Sequence, residues 1–275
     1  MKTILKKIGC IALTSVALLA TSCSEDESPT TEFQFSAEDS TRAAQADNTI
    51  EGTLAIMENG YAEAEEGRSS INSFFPDCAT VQFTPNGDGG TIVLDFGDGC
   101  ELNNGSIVTG MITLEYGAFI AGTRTIEYTF QDFTYNQNGV SGGGTILREI
   151  ANDNDNPQST VNESITVSFP NTEITATRDG LRIAEWIEGV GSGTWTDNVY
   201  SITGNWETTF TNGFQRNGEV TEALIRELSC LYLVSGVLEI EQQNITAQLD
   251  FGDGSCDNIA VIIFNGETIP IILGN

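Results

Sequence analysis

The sequence predicts an all-β fold: a strongly curved antiparallel meander, half-pipe or barrel, with one N-terminal amphipathic helix. A flat two-sheet sandwich is the alternative. Three observations carry this. From Ala79 onward apolar residues recur with period two, as in Ile126, Tyr128, Phe130 and again in Ile165, Val167, Phe169, the mark of half-buried strands. LDFGDGC, Leu94 to Cys100, returns as LDFGDGSC, Leu249 to Cys256. A shorter phrase occurs four times inside alternating segments: Val108-Thr109-Gly110, Val140-Ser141-Gly142, Ile202-Thr203-Gly204 and Val234-Ser235-Gly236. Glycine inside a strand weakens it but permits a sharp bend, so its repetition across strands points to curvature.

The chain begins MKTILKKIGCIALTSVALLATSC. Three lysines precede Ile8 to Ala20, an apolar run of 13 residues. A membrane span needs about 20 residues, so this run reads as the core of a signal peptide, residues 1–22. Ala20-Thr21-Ser22-Cys23 resembles the lipobox of bacterial lipoproteins, although Ala20 stands where leucine is usual. The resemblance implies that Cys23 becomes the first mature residue and carries acyl chains, with the lipid bilayer as its partner. Three chains hold a protein firmly where one holds it marginally. Ser24-Glu25-Asp26-Glu27 is similar to the acidic export tag of surface-exposed lipoproteins of Bacteroidota. That likeness implies an outer-membrane location facing the medium. The layout of leader, tag, tether and β-rich body is that of such lipoproteins, and it implies no particular activity.

Charge narrows the chemistry. Every lysine lies in the leader, which leaves eight arginines against 39 acids, a mature net charge of −31. Nucleic acid and anionic membrane surfaces are poor partners for such a surface, whereas cations are attracted. There is no histidine, and no lysine after Lys7. Ser-His-Asp and Cys-His catalysis, histidine metal sites, P-loop lysines and Schiff bases all lack a required residue. The Asp-Phe-Gly triplets at Asp95 and Asp250 match the magnesium motif of protein kinases, but the strand lysine of a kinase is missing.

Residues 23–45 are acidic and polar and read as a lipidated tether; Asp39-Ser40-Thr41 within it resembles an O-glycosylation acceptor of Bacteroidota. The folded domain is expected at 46–275. Over 46–66, Ile50, Leu54, Met57 and Tyr61 share one helical face with acids elsewhere, an amphipathic helix lying as a lid on the sheet.

Two related disulfide hairpin units are expected at 78–116 and 230–273. With Cys10 in the leader and Cys23 lipidated, four cysteines remain and allow three pairings. The repeat favours Cys78–Cys100 and Cys230–Cys256, and an exported protein permits them. For Val81 and Phe83 to share a face with Ile92, Leu94 and Phe96, paired numbers must sum to an odd value. A sum of 177 places Asp88-Gly89 in the turn. The cysteine numbers sum to an even value, so an irregularity must intervene, and the Phe-Gly-Asp-Gly stretch is its natural seat. The second unit poses the same parity problem. The metal alternative for the repeat is a calcium loop using Asp95, Asp98, Asp250, Asp253 and Asp257, though neither copy has EF-hand spacing. Gly110 and Gly266, each ten residues beyond a repeat cysteine, extend the duplication.

In the middle of the chain, Asn138-Gly139, Asp179-Gly180 and Asn212-Gly213 read as turns, and Thr221 to Ser229 as a short helix or irregular strand. Trp186, Trp195 and Trp206 line a groove or fill the core. The functional expectation is a non-enzymatic binding or envelope-structural lipoprotein without cofactor, whose unknown ligand is apolar, a glycan or a protein. The alternatives are a carboxylate-based glycan-active enzyme, for which two acids about 5–10 Å apart suffice, and a calcium-stabilised adhesin-like module.

Overall fold

The computed structural model describes residues 37–65, 73–242 and 245–273. The expected leader, Cys23 and the expected acidic tag lie outside the described residues. Among the described residues one α-helix, α1 (Ala37–Glu65), precedes fourteen strands. These are β1 (Thr80–Asn86), β2 (Gly89–Asp95), β3 (Cys100–Glu101), β4 (Ile107–Tyr116), β5 (Thr123–Tyr135), β6 (Asn138–Glu149) and β7 (Gln158–Ser168). Then come β8 (Thr175–Glu188), β9 (Val199–Phe210), β10 (Gln215–Glu227), β11 (Ser235–Gln242), β12 (Ile245–Asp253), β13 (Ile259–Phe264) and β14 (Glu267–Ile272). They form one open antiparallel sheet in chain order, with β3 pairing β4 beside β2. This is the expected curved meander rather than a two-sheet sandwich.

The sheet bends at the repeated phrase. Gly110, Gly142, Gly204 and Gly236 all have positive φ. At Gly204 a Cβ would lie 2.0 Å from the Leu181 carbonyl oxygen of the next strand, so any other side chain meets both backbone strain and a clash. Pairing slips by one residue beside Gly110, between Thr109 and Met111, and beside Gly236, between Ser235 and Val237. A bulged strand twists and bends, and a row of such bends rolls the sheet.

The sheet rolls around α1. The helix touches β1 and β2 near one edge, β14 at the other, and β4, β5 and β7 between them. Its 29 residues span about 44 Å, and a 13-residue strand such as β5 spans about 43 Å. The helix is therefore an axial filling rather than a lid. It also starts nine residues earlier than the pattern of Ile50, Leu54, Met57 and Tyr61 suggested. Ala43, Ala44 and Ala46 are buried; such small, strongly helix-forming residues extend the helix without enlarging the apolar stripe. Asp39-Ser40-Thr41 thus belongs to a helical turn, with Ser40 buried. Two helical glycines mark the closest approaches. A Cβ at Gly52 would sit 2.3 Å from the Tyr135 ring, and one at Gly60 2.7 Å from Leu94.

Both disulfides form as expected, Cys78–Cys100 and Cys230–Cys256. The first hairpin keeps the predicted faces but shifts by one pair: Val81 meets Leu94, Phe83 meets Ile92, and the turn is Gly87-Asp88. Faces are set by burial, while register is set by the turn, and Gly87 takes the positive φ there. The first Phe-Gly-Asp-Gly stretch interrupts the ladder. Phe96 donates to the Gly110 carbonyl, Gly110 donates to that of Gly97, and pairing resumes at Cys100 with Val108. In the second copy a single bulge suffices, at Phe251-Gly252 opposite Gly236. The Gly110–Gly266 equivalence fails. Gly110 bends a strand, whereas Gly266 closes the β13–β14 turn with Asn265, both at positive φ.

Two turn expectations are also corrected. Asn136-Gln137 makes the β5–β6 turn, at φ 47° and 71°, and Asn138 opens β6. Asp179-Gly180 lies inside β8, where a Cβ on Gly180 would sit 2.4 Å from Cβ of Trp206. Asn212-Gly213 does turn, with the Gly213 N–H bonded to the Phe210 carbonyl at 3.0 Å. Residues Thr221 to Glu227 continue β10 as an irregular strand with two register shifts.

Candidate functional site

The densest polar chemistry is inside the roll. Asp47, Glu51 and Glu58 recur at helical spacing along α1, and all three are buried. They face inward positions of the sheet: Glu163 on β7, Arg178 and Arg182 on β8, and Arg216 on β10. Arg178, with no exposed surface, is held by Glu163 at 2.7 Å, Glu51 at 2.9 Å and Asp47 at 3.5 Å, and its guanidinium lies 4.4 Å from the Trp206 ring centroid. Arg182 bridges Glu51 at 2.7 Å and Glu58 at 3.0 Å. Arg216 pairs with the second oxygen of Asp47. The planar guanidinium fork, always charged and able to serve several carboxylates, is the group suited to such a place.

Burial and charge pull these acids in different directions. Burial pushes the Glu58 carboxyl up, against one close contact from Arg182. The second oxygen of Glu58 makes no hydrogen bond among the described residues. Burial raises Glu163 as well, although Arg178 opposes it. Glu51 is desolvated too, but two arginines together hold it below the usual carboxylate range. Both Arg178 and Arg182 are pushed further up by their carboxylates despite burial. The arrangement can hold charge and lock helix against sheet. Its two raised carboxyls face arginines in a filled interior rather than a cleft.

The structure disperses the residues singled out in the sequence. Trp186 is buried and stacks on Tyr200 at 5.8 Å, Trp206 is buried under Arg178, and Trp195 packs edge-on against Phe74 at 5.4 Å. They serve packing and line no common groove. The repeat aspartates brace the backbone. Asp95 accepts the Gly97 N–H at 2.9 Å, Asp250 that of Gly252 at 2.8 Å, and Asp257 that of Ile259 at 2.9 Å. Asp253 takes both the N–H and hydroxyl of Ser255, while Asp98 is exposed. Among the described residues, no three acidic, histidine or cysteine side chains are grouped as metal ligands.

Acids on an amphipathic helix are expected to face solvent, and that expectation hides the interior network. Its signal was nonetheless present. Glu163 has the parity of Val161 and Ile165, and Arg178 and Arg182 have that of Ala176, Ala184 and Trp186, all buried. Five arginines, including Arg148 and Arg226, are buried against four buried acids, Asp47, Glu51, Glu58 and Glu163; the interior is close to charge balance and the exterior keeps the chain's negative charge. Comparison of the chain with protein-family models, curated proteins and solved structures gave no match.

Proposed function

We propose that the chain is an outer-membrane lipoprotein, anchored through acyl chains on Cys23 and exposed to the medium, with a non-enzymatic role exercised by its exterior. The observation that favours this reading is the occupation of the sheet's interior by α1 and its ion pairs. A curved sheet that held a small ligand would keep an open groove, and here that space is taken. A carboxylate enzyme needs two acids facing a cleft; Glu58 and Glu163 are committed to arginines. A rigid, twice-stapled, strongly anionic body on a tether suits an envelope-structural or protein-binding role.

The test is fractionation. Cys23→Ala is expected to move the protein out of the membrane fraction, and protease added to intact cells to digest the wild-type body. Digestion only after lysis would exclude surface exposure, and membrane retention of Cys23→Ala would exclude the lipid anchor.

A further inference from the structure

The outward positions of most strands are polar. On β7 they are Gln158, Thr160, Asn162, Ser164, Thr166 and Ser168. The terminal hairpin departs from this. With Ala260, Ile262 and Ile271 turned to the core, the outward residues are Ile259, Val261 and Ile263 on β13, and Pro270 and Ile272 on β14. They lie side by side, Ile259 against Ile272 and Val261 against Pro270. Ile259 is 47% exposed and Ile272 45%. A strand apolar on both faces is the pattern of one covered on both faces, and a contiguous apolar patch on a soluble body marks an interaction site.

The free edge is not the docking element. Leu273 donates to Asn258, so hydrogen-bonded pairs alternate along the hairpin and the nitrogen of Pro270 points to the open side. That edge lacks a donor at its centre, and β1 at the other end carries Pro85. Proline at edge strands blocks strand addition. The outer face remains.

The occupant is specified by charge. Two strands over from Ile263, the same outer face carries Glu239 and Glu241 on β11, then Glu219, Glu207 and Asp179 on β10, β9 and β8. These five line a depression of about 420 Å³. Asp179 is paired directly with Glu207 and Glu219 with Glu239, like charges opposed across strands at a cost to the sheet. None of the five has an ion-pair partner among the described residues. Strands lie about 4.8 Å apart, so an occupant seated on the apolar hairpin has this carboxylate tract within about 10–25 Å. A second copy brings the same negative charge and is repelled, as is an anionic lipid surface.

We propose that the outer face of β8–β14 is a docking surface for a basic partner protein. The partner's apolar strip covers Ile259, Val261, Ile263, Pro270 and Ile272, and its Lys and Arg side chains cover the carboxylate tract. This deepens and rests on the reading of a non-enzymatic body acting through its exterior.

The experiment uses the full chain, with fluorescence anisotropy at 0.15 M salt and two labelled synthetic peptides of equal charge, one alternating Lys and Val, the other Lys and Ser. The Lys–Val peptide is expected to bind at least tenfold tighter. Ile259→Ser with Ile263→Ser, and separately Glu239→Gln with Glu241→Gln, should each lower its affinity at least tenfold. Asp153→Asn with Asp155→Asn, exposed acids in the β6–β7 loop, should leave it unchanged. Equal binding of both peptides, or indifference to either target pair, overturns the proposal. So does a wild-type dimer in sedimentation, or retention on phosphatidylcholine vesicles, that the isoleucine pair abolishes; the patch would then serve self-association or lipid. Anchoring is read separately by fractionation of Cys23→Ala, so either idea can fail alone.

Discussion

The two halves of the interior are built on opposite principles. Against β2, β4, β5 and β6 the helix presents apolar groups to Ile92, Leu94, Ile112, Leu114, Ile126 and Ile146, all buried. Against β8 and β10 it presents Asp47, Glu51 and Glu58 to arginines. The apolar half gains stability from the area removed from water, with little directionality. The charged half loses desolvation energy and recovers it only when every partner is in place. One half supplies adhesion. The other makes sliding or rotating the helix costly, because a displaced Glu51 takes a carboxylate from two buried arginines at once.

The largest effect should come from breaking the charged half on one side. Arg178→Met removes the partner of Glu163, Glu51 and Asp47 and is expected to cost about 3–5 kcal/mol in denaturant melts. A loss below about 1 kcal/mol would mean that the network is not closed in solution. Leu114→Ala, on the apolar half, should cost about 3 kcal/mol through lost burial and a residual cavity. The halves should differ in repair. Adding Glu58→Leu to Arg182→Leu should restore part of the single-mutant loss, whereas a second truncation beside Leu114 should not.

A pH series sharpens the contrast further. The raised carboxyl of Glu58 favours the native state most when protonated. Its contribution is full below the unfolded value of about 4.5 and is lost as pH rises through the higher folded value. Glu58→Gln should remove this loss, so the variant should gain on the wild type as pH rises above about 4.5. A gap that is flat or widens toward acid would show that Arg182 outweighs burial at this site. The smallest effect is expected at the repeat: Asp98→Asn, at an exposed position outside both halves, should change stability by less than about 1 kcal/mol. A calcium-dependent rise in melting temperature lost in that variant would restore the cation reading of the loop.

Local chemistry was legible in the sequence alone. Period two, the strand glycines and the paired cysteines each act through near neighbours. The all-β class, the curvature at Gly110, Gly142, Gly204 and Gly236, both disulfides and the break after Phe96 and Phe251 could therefore be read in advance. Strand parity is the same whether the turn is Asp88-Gly89 or Gly87-Asp88, because the buried face constrains parity and the turn decides the pair. Tertiary structure alone decided which way the helix acids point. Asp47, Glu51 and Glu58 look solvent-facing beside Ile50, Leu54, Met57 and Tyr61 until Arg178 and Arg182, more than 100 residues later, are carried around to meet them. The same holds for Trp186 and Trp206: alternation puts them on one side of their strands, but only the filled roll makes that side an interior. Burial of charge depends on partners brought from far along the chain: strand parity marks Glu163, Arg178 and Arg182 as inward, but only the roll brings the helix acids to them.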